Sequence, residues 1–445
     1  MHQLTGRWII PFLLLLAQGF TMANASIEHL RAGPMLGYAE MREVAVWVQT
    51  TEAADVQLIY WPLGNDADLR ESAVLRTAAE DAFTATLIAS KVQPSTRYQY
   101  LISINGDPIA LPYRLEFQTL PDWRGKKPPP DLKLVVTGAN YVNEPPYEDL
   151  HKVIGEGYSA FEVINSLQPD AVLAIGTAQL READWGSRTG YLERYSAARS
   201  HPAMAPLLAS ANHYGTWSVF DYGPPRASGS WIMRDQARDA FRRFWPTASD
   251  GVPGLDGITA TFRWSDVEFF MLDVRSNRVN DAVFEYKREI LGQAQLEWLK
   301  ESLRTSPATF KVIVSGMPLL NPAESEQNFN YAEKEHQELL RFLEDEKITG
   351  VFAVSGGRTF SEMTKLVRGK GYPVYDLTVG PITTRPQPVE GELNYFREPG
   401  TRVNQRSFAT LYFTGPEDAR KLMVAVHNLN GDVIWKNTIP AGTWE

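Results

Sequence analysis

A run of three prolines at 128–130 separates two hydrophobic patterns that predict different kinds of domain. Such a run favours a stiff polyproline II segment, and neither a helix nor a sheet continues through it. We therefore expect a proline-rich linker over residues 121–131, with one domain over residues 26–120 and a second over residues 132–445.

The segment before the linker has an all-β pattern. Short runs rich in β-branched and aromatic residues alternate with turn residues at 45–51, 55–61, 83–89, 98–104 and 113–119. The run at 92–100 is similar to the tyrosine corner of immunoglobulin-like and fibronectin-like sandwiches, in which a tyrosine hydroxyl bonds to the backbone just upstream. The sequence therefore predicts a small β-sandwich.

The segment after the linker alternates apolar strands with helical patterns. The strand-like runs are 132–137, 170–176, 267–274, 310–316 and 350–356, and the helical patterns are 155–167, 233–244, 290–305 and 332–346. This alternation predicts a layered α/β domain, with sheets flanked by helices. Three strand-like runs between residues 405 and 440 are expected to complete one sheet.

The first 25 residues have the features of a secretory signal. Arg7 precedes an apolar stretch over residues 8–17, and an A-x-A motif at 23–25 predicts cleavage between Ala25 and Ser26. The apolar stretch is too short to span a bilayer. We expect a secreted or periplasmic protein without a membrane span.

Charge and cysteine content exclude several functions. The formal net charge is −9, and removal of the signal segment takes away one cation, Arg7, and no acid, which gives −10. An acidic protein is not expected to bind nucleic acid. The chain has no cysteine, which excludes disulfides, thiolate metal sites and a cysteine nucleophile.

The order of the segments resembles the PhoD-like (alkaline phosphatase D-like) phosphatases, a family of the calcineurin-like metallophosphatase superfamily. The stretches that carry the resemblance are 137–147, 181–195, 213–224, 241–246, 269–278, 291–303, 355–362 and 375–383. Together they cover nearly the whole mature chain. The resemblance implies an immunoglobulin-like sandwich followed by a four-layer α/β metallophosphatase domain, in a family whose members use divalent or trivalent metals such as Fe and Ca.

This chain departs from the family pattern where members hold their metals. Members typically have Gly-Ser-Cys, Gly-Asp-Asn, Trp-Asp-Asp-His-Asp-Tyr-Gly and Ser-Gly-Asp-Arg-His at four turns. The corresponding residues here, called the site-turn residues below, are Asn140, Thr177, Ser218, Val219, Phe220, Asp221, Gly357 and Thr359. A dinuclear hydrolase needs carboxylates and imidazoles to hold two cations, and only Asp221 is a carboxylate. We therefore predict no metal cofactor and no catalytic residue.

Several residues near these turns are candidates for ligand binding. They are Arg358, Asp221, His213, Trp217 and Tyr222. Arg358 can contact a phosphate or another anion, or it can pair with Asp221 or Glu362. Trp217 and Tyr222 line an aromatic cleft in one interpretation, together with Trp185 and Phe220, and belong to the core in the other. Asp221 is expected to act as a structural hydrogen-bond acceptor, and Asp273 is expected to form an internal ion pair with Arg275.

Three functional hypotheses remain open from the sequence. The first is a pseudophosphatase that binds an unknown protein or a small ligand. The second is an active phosphomonoesterase or phosphodiesterase with a reduced or relocated metal site. The third is a module that binds anions or glycans through Arg358 and the aromatic turn.

Overall fold

A computed structural model describes residues 27–144, 147, 154–249, 251–252, 254–281, 283–367, 371–387 and 391–442. The signal segment expected at residues 1–25 lies outside this range. Within it, no helix has both the length and the apolar character needed to cross a membrane.

The N-terminal region consists of nine strands in two sheets. The strands are β1 (Leu30–Ala39), β2 (Val44–Thr50), β3 (Asp55–Pro62), β4 (Arg70–Glu71), β5 (Leu75–Arg76), β6 (Thr84–Ala89), β7 (Arg97–Ile104), β8 (Asp107–Pro108) and β9 (Glu116–Gln118). One sheet has the order β1-β2-β6. The other has the order β4-β3-β7-β8, with β5 paired to β3 and β9 paired to β7. The pairings of β1, β2, β3, β6 and β7 are antiparallel, as the predicted sandwich requires.

The tyrosine corner predicted at 92–100 is present. The Gln93 backbone N–H donates a hydrogen bond of 2.7 Å to the Tyr98 hydroxyl. The Tyr98 ring is fully buried and stacks on Phe117, with ring centroids 5.2 Å apart. This contact fixes the turn into β7 and confirms the sequence interpretation of that run.

The described residues of the second region form twelve strands and six α-helices. The strands are β10 (Leu132–Thr137), β11 (Ala171–Ile175), β12 (Asn212–Thr216), β13 (Ala260–Trp264), β14 (Val267–Met271), β15 (Phe310–Ser315), β16 (Val351–Ser355), β17 (Glu362–Leu366), β18 (Val374–Thr378), β19 (Phe408–Thr414), β20 (Lys421–His427) and β21 (Val433–Pro440). The helices are α1 (Ala160–Ser166), α2 (Arg188–Ala197), α3 (Ala205–Ser210), α4 (Arg234–Phe244), α5 (Gly292–Thr305) and α6 (Glu333–Asp345).

These strands form two six-stranded mixed sheets. The first has the order β12-β11-β10-β19-β20-β21 and the second the order β13-β14-β15-β16-β18-β17. Strands β10 to β12 are parallel, and so are β14, β15, β16 and β18. The three C-terminal strands extend the first sheet from β10, as the sequence predicted.

Alternation of side chains across each sheet produces a four-layer arrangement. Leu134 on β10 and Val312 on β15 belong to one core between the sheets. The neighbouring side chains point outward, since Val135 packs with α1 to α4 and Ile313 packs with α5 and α6. The predicted four-layer fold, with an N-terminal sandwich, is confirmed.

Polar contacts attach the sandwich to the first sheet and its helices. The Tyr100 hydroxyl donates to the Ala209 carbonyl at 2.9 Å, and the Asn212 amide donates to the Gly37 carbonyl at 2.7 Å. Because these groups are buried, the two regions share an interface of the kind found within a domain core.

Candidate functional site

Turns from both sheets of the α/β region meet at the edge where the parallel strands end. A methyl group placed on Gly316, after β15, would overlap the carbonyl oxygen of Trp217, after β12. One placed on Gly356, after β16, would overlap the Ile175 side chain at the end of β11. The turns are therefore packed backbone against backbone, and the glycines are what permit this close approach.

Asp221 connects two of these turns and is fully buried. Its Oδ1 accepts hydrogen bonds from the backbone N–H groups of Thr177 and Ala178, both at 2.6 Å, and of Gln179 at 3.2 Å. Its Oδ2 accepts from the backbone N–H and the hydroxyl of Ser218, both at 2.8 Å. Five donors therefore use both oxygens, and the carboxylate acts within the protein as a clamp between the turns after β11 and β12.

Asn140 and Thr177 lie beside this clamp. The Asn140 amide donates to the Ala198 carbonyl at 3.3 Å, and its oxygen accepts from the hydroxyl of Thr383, in the segment after β18, at 3.0 Å. Thr177 and Asn140 both line a small cavity between the first sheet and its helices.

Val219 and Phe220 contribute no polar side-chain group. Val219 is buried, and Phe220 is half-buried. The Phe220 carbonyl accepts a hydrogen bond of 2.7 Å from the Leu180 backbone. These positions therefore stabilise the turn through packing and backbone contacts.

The turn after β16 places Gly357 and Thr359 apart from Asp221. Gly357 has a positive φ of 72°, and a methyl group there would overlap the Gly316 carbonyl. The Thr359 hydroxyl donates to the Gln387 carbonyl at 2.7 Å. The structure therefore brings Asn140, Thr177, Ser218 and Asp221 together, and Gly357 approaches them through the backbone at Gly316, which lies against Trp217 and Ser218.

Arg358 has a partner that the sequence did not suggest. Its guanidinium forms an ion pair with Glu392 and donates to the Ser325 hydroxyl at 3.3 Å. Burial lowers the pKa of Arg358 to about 10, and the nearby Glu362 opposes that shift. Of the two alternatives left open by the sequence, an ion pair is present, but its carboxylate is Glu392 rather than Asp221 or Glu362. This carboxylate competes with any anion that would bind Arg358.

The other candidate binding residues belong to the core. Trp217 and Tyr222 are fully buried, Trp217 donates from its indole to Asp273 at 2.9 Å, and Tyr222 donates to the Ser228 carbonyl at 3.2 Å. His213 is also buried, and burial lowers its pKa to about 4, so its ring is neutral at pH 7. The structure favours the core interpretation of the aromatic residues over an open aromatic cleft.

Asp273 and Arg275 do not form the expected ion pair. Asp273 accepts from the backbone N–H of Arg275 at 2.9 Å, and its oxygens also accept from Trp217 and Ser276. Arg275 is buried, and no ion pair of its guanidinium occurs among the described residues. Burial, with help from the adjacent Arg278, lowers the pKa of Arg275 to about 9.

The donor set at the turns does not suit a pair of metal ions. The Asp221 oxygens already accept five hydrogen bonds, and its neighbours offer amide, hydroxyl and apolar groups. Divalent and trivalent cations need several anionic or imidazole ligands with free lone pairs. Among the described residues, no group of three or more His, Asp or Glu side chains is arranged to share one ion.

A larger cavity lies between the sandwich and the α/β region, at the opposite edge of the first sheet. This interdomain cleft has a volume of about 350 Å³. The sandwich contributes Arg97, Arg114, Glu116 and Gln118, and the α/β region contributes Asn165, Gln168, Asp170, Ser210 and Asn212. Sequence reasoning missed this cleft because its two walls come from regions that are distant in the chain.

Comparison with known proteins identifies the architecture. The model of the PhoD-like phosphatase family matches residues 211–414, and a domain of unknown function, DUF7800, matches residues 27–121. No curated protein matches the chain.

Two solved structures share the fold over most of the chain. A structure of PhoD has a TM-score of 0.71 and 14% sequence identity, and the match covers 88% of this chain and 85% of that chain. Purple acid phosphatase PPD1 from yellow lupin (Lupinus luteus) seeds has a TM-score of 0.66 and 12% identity, with 92% of this chain and 74% of that chain covered. At these identities the likeness concerns the fold alone.

The four-layer α/β region and the turns at its strand ends thus define a protein with the calcineurin-like metallophosphatase fold. Residues 211–414 match the model of the PhoD-like phosphatase family. The match and the shared fold confirm the resemblance to the PhoD-like family that the sequence motifs predicted.

Proposed function

We propose that this chain is an exported PhoD-like protein that binds a ligand or partner and does not hydrolyse phosphate esters. The observation that carries the proposal is the state of Asp221. It is the only carboxylate among the site-turn residues, and both of its oxygens accept hydrogen bonds within the protein. A dinuclear mechanism requires such oxygens to bridge or hold the cations that activate water.

The interdomain cleft supports the binding part of the proposal. Its volume of about 350 Å³ lies within the range of small-molecule sites. Guanidinium, carboxylate and amide groups line it, and these groups suit a hydroxyl-rich or anionic molecule such as a glycan. The cleft lies at a boundary between two regions, which is a common place for ligand sites.

Hydrolysis assays test the catalytic part. The purified chain is incubated with p-nitrophenyl phosphate and bis-p-nitrophenyl phosphate, with Fe³⁺, Ca²⁺, Zn²⁺, Mn²⁺ or Mg²⁺ added in turn. We expect rates equal to those of the metal solutions alone. Steady turnover that purifies with the protein would contradict this part of the proposal, and its loss in an Asp221→Ala variant that is still folded would show that the enzyme uses Asp221. Turnover that survives this change would point to a metal site elsewhere.

A ligand panel tests the binding part. Thermal unfolding is measured with phosphates, sugars and oligosaccharides, and a ligand that occupies the cleft raises the unfolding temperature. Arg97→Ala should abolish that rise. Arg76→Ala is the matched control, because Arg76 is exposed on the same sandwich and pairs with Asp55 outside the cleft. A flat response to the whole panel would argue against a small-molecule ligand.

A further inference from the structure

A small cavity lies beneath the turns after β10 and β11, between the first sheet and its helices. Its volume is about 40 Å³, which is enough for a single water molecule or a small ion. Most of the wall is apolar. The polar residues that line it are Thr137, Asn140, Thr177, Arg199 and His213, and Trp245 also lines it.

Arg199 brings a positive charge to this cavity, and no described carboxylate pairs with it. The residue is 4% exposed, and the described neighbours that influence its charge include no Asp or Glu. Its guanidinium donates a hydrogen bond of 2.6 Å to the Phe244 carbonyl, and its Nε–H has no acceptor among the described residues. A buried guanidinium stays protonated, and an unbalanced buried charge is costly.

Aromatic rings offset part of that cost. The guanidinium carbon lies 4.4 Å from the centroid of the Trp245 ring and 5.5 Å from those of Trp47 and Phe244. The negative faces of such rings attract a cation. These rings interact with the guanidinium through their faces, whereas the Nε–H points within the guanidinium plane. The rings therefore do not accept a hydrogen bond from the Nε–H, and this donor remains available.

Two more buried polar atoms around the cavity have no acceptor of good geometry among the described residues. They are the indole nitrogen of Trp245 and the hydroxyl oxygen of Thr177, which lies near the Tyr195 hydroxyl. With the Arg199 Nε, this makes three donor groups at the cavity wall. Of the other polar lining groups, Asn140 bonds to Ala198 and Thr383.

The remaining titratable group is neutral. His213 has its Nδ1 within 2.7 Å of the Ala211 carbonyl, and burial keeps its ring uncharged at pH 7. An anion can accept from these donors and also balances the charge of the guanidinium, whereas a water molecule only hydrogen-bonds. The charge therefore favours an anion.

We propose that this cavity binds one monovalent anion of the size of chloride, held by Arg199, Thr177 and Trp245 as the counter-ion of the buried guanidinium. The site is separate from the interdomain cleft, and it stands whether or not the protein hydrolyses phosphate esters.

The test compares halides with a bulky anion at constant ionic strength. Thermal unfolding of the full chain is measured in sodium chloride, sodium bromide and sodium gluconate. The unfolding temperature should be higher in either halide, by roughly 2 °C or more. Crystals grown in bromide should show one anomalous peak within the cavity. Equal unfolding temperatures in the three salts, or a cavity that contains only water in the bromide crystals, would overturn the proposal.

Two variants separate binding from general salt effects. Arg199→Met should lose the halide-dependent rise, and Thr177→Val, which removes one donor at nearly constant volume, should reduce it. Arg194→Met is the matched control, because Arg194 is equally buried but pairs with Glu144 at 2.7 Å. It should keep the full halide effect. If Arg199→Met does not fold, Thr177→Val and the bromide crystals still decide the question.

Discussion

At the scale of single residues, Asp221 shows how one carboxylate can be retained and still be unavailable to a metal. Its oxygens accept five hydrogen bonds from the turns at 177–179 and 218. Charge-assisted bonds to backbone N–H groups are among the stronger ones in proteins. The residue therefore determines the conformation of these turns. The resemblance to the PhoD-like family implies that the corresponding turns of its members hold the metals.

Removal of Asp221 should cost much more stability than removal of one of its donors. Asp221→Ala leaves several buried N–H groups without an acceptor, and we expect a loss of about 3–5 kcal/mol in the free energy of unfolding. Ser218→Ala removes one donor and should cost about 1 kcal/mol. Asp235→Ala, at an exposed ion pair, should change stability by less than about 0.5 kcal/mol. Denaturant unfolding measures all three, and an Asp221→Ala variant as stable as Ser218→Ala would contradict this role.

At the scale of elements, the turns at the strand ends are in direct contact. Gly357 lies against the Gly316 carbonyl, and Gly316 lies against the Trp217 carbonyl. A side chain at either position would have to displace backbone atoms of the neighbouring turn. The turn after β16 therefore cannot carry an aspartate at position 357, where the family pattern has one, without a rearrangement of the turn after β15.

Gly357→Ala measures this packing directly. We expect a loss of at least about 3 kcal/mol in unfolding free energy, because the methyl group overlaps backbone and φ is positive. Gly64→Ala isolates the effect of φ alone, since Gly64 has a φ of 83° and open space around it; it should cost about 1 kcal/mol. If the two variants lose the same amount, the turns are not packed as described.

A buried carboxylate also connects two helices of the second sheet. Glu335, in the first turn of α6, accepts hydrogen bonds from the backbone of Ile290 at 2.6 Å and Leu291 at 2.8 Å, just before α5. Burial raises the pKa of Glu335 from 4.5 to about 7, and the two hydrogen bonds only partly oppose the shift. The folded state therefore holds this proton more tightly than the unfolded state does.

The pH dependence of stability follows from that difference. Between about pH 4.5 and 7 the folded protein carries more protons at Glu335, so its contribution to stability falls as the pH rises and is lost above pH 7. The contribution of Glu335 that is lost over this pH range is about 3 kcal/mol in the free energy of unfolding. Glu335→Gln should flatten the decline, and Glu333→Gln, at an exposed position on the same helix, should leave it unchanged. Urea unfolding at several pH values measures the free energy of unfolding. If it declined with pH equally in the wild type and Glu335→Gln, the role given to Glu335 would be refuted.

At the scale of the whole molecule, the sequence predicted the layers and the domain types. It did not predict which residues of distant segments contact one another. Periodicity within one segment indicates its secondary structure, and on that basis the helices near 234–244, 292–305 and 333–345 could be predicted. The pairing of Arg358 with Glu392 and the interdomain cleft depend on which distant segments meet. Helix α2 was missed because its polar composition gives a weak apolar periodicity, although it packs against α4.

We propose that the PhoD-like fold is present here while the described residues include no set of side chains able to hold catalytic metals. Metal analysis of the purified chain tests it most directly. The protein is incubated with Fe³⁺, Ca²⁺, Zn²⁺ and Mn²⁺, freed of unbound ions, and measured by elemental mass spectrometry beside a PhoD that carries the full ligand pattern. We expect the control to retain its metals and this chain to retain far less than one ion per molecule. One or two tightly held ions per chain would contradict the account.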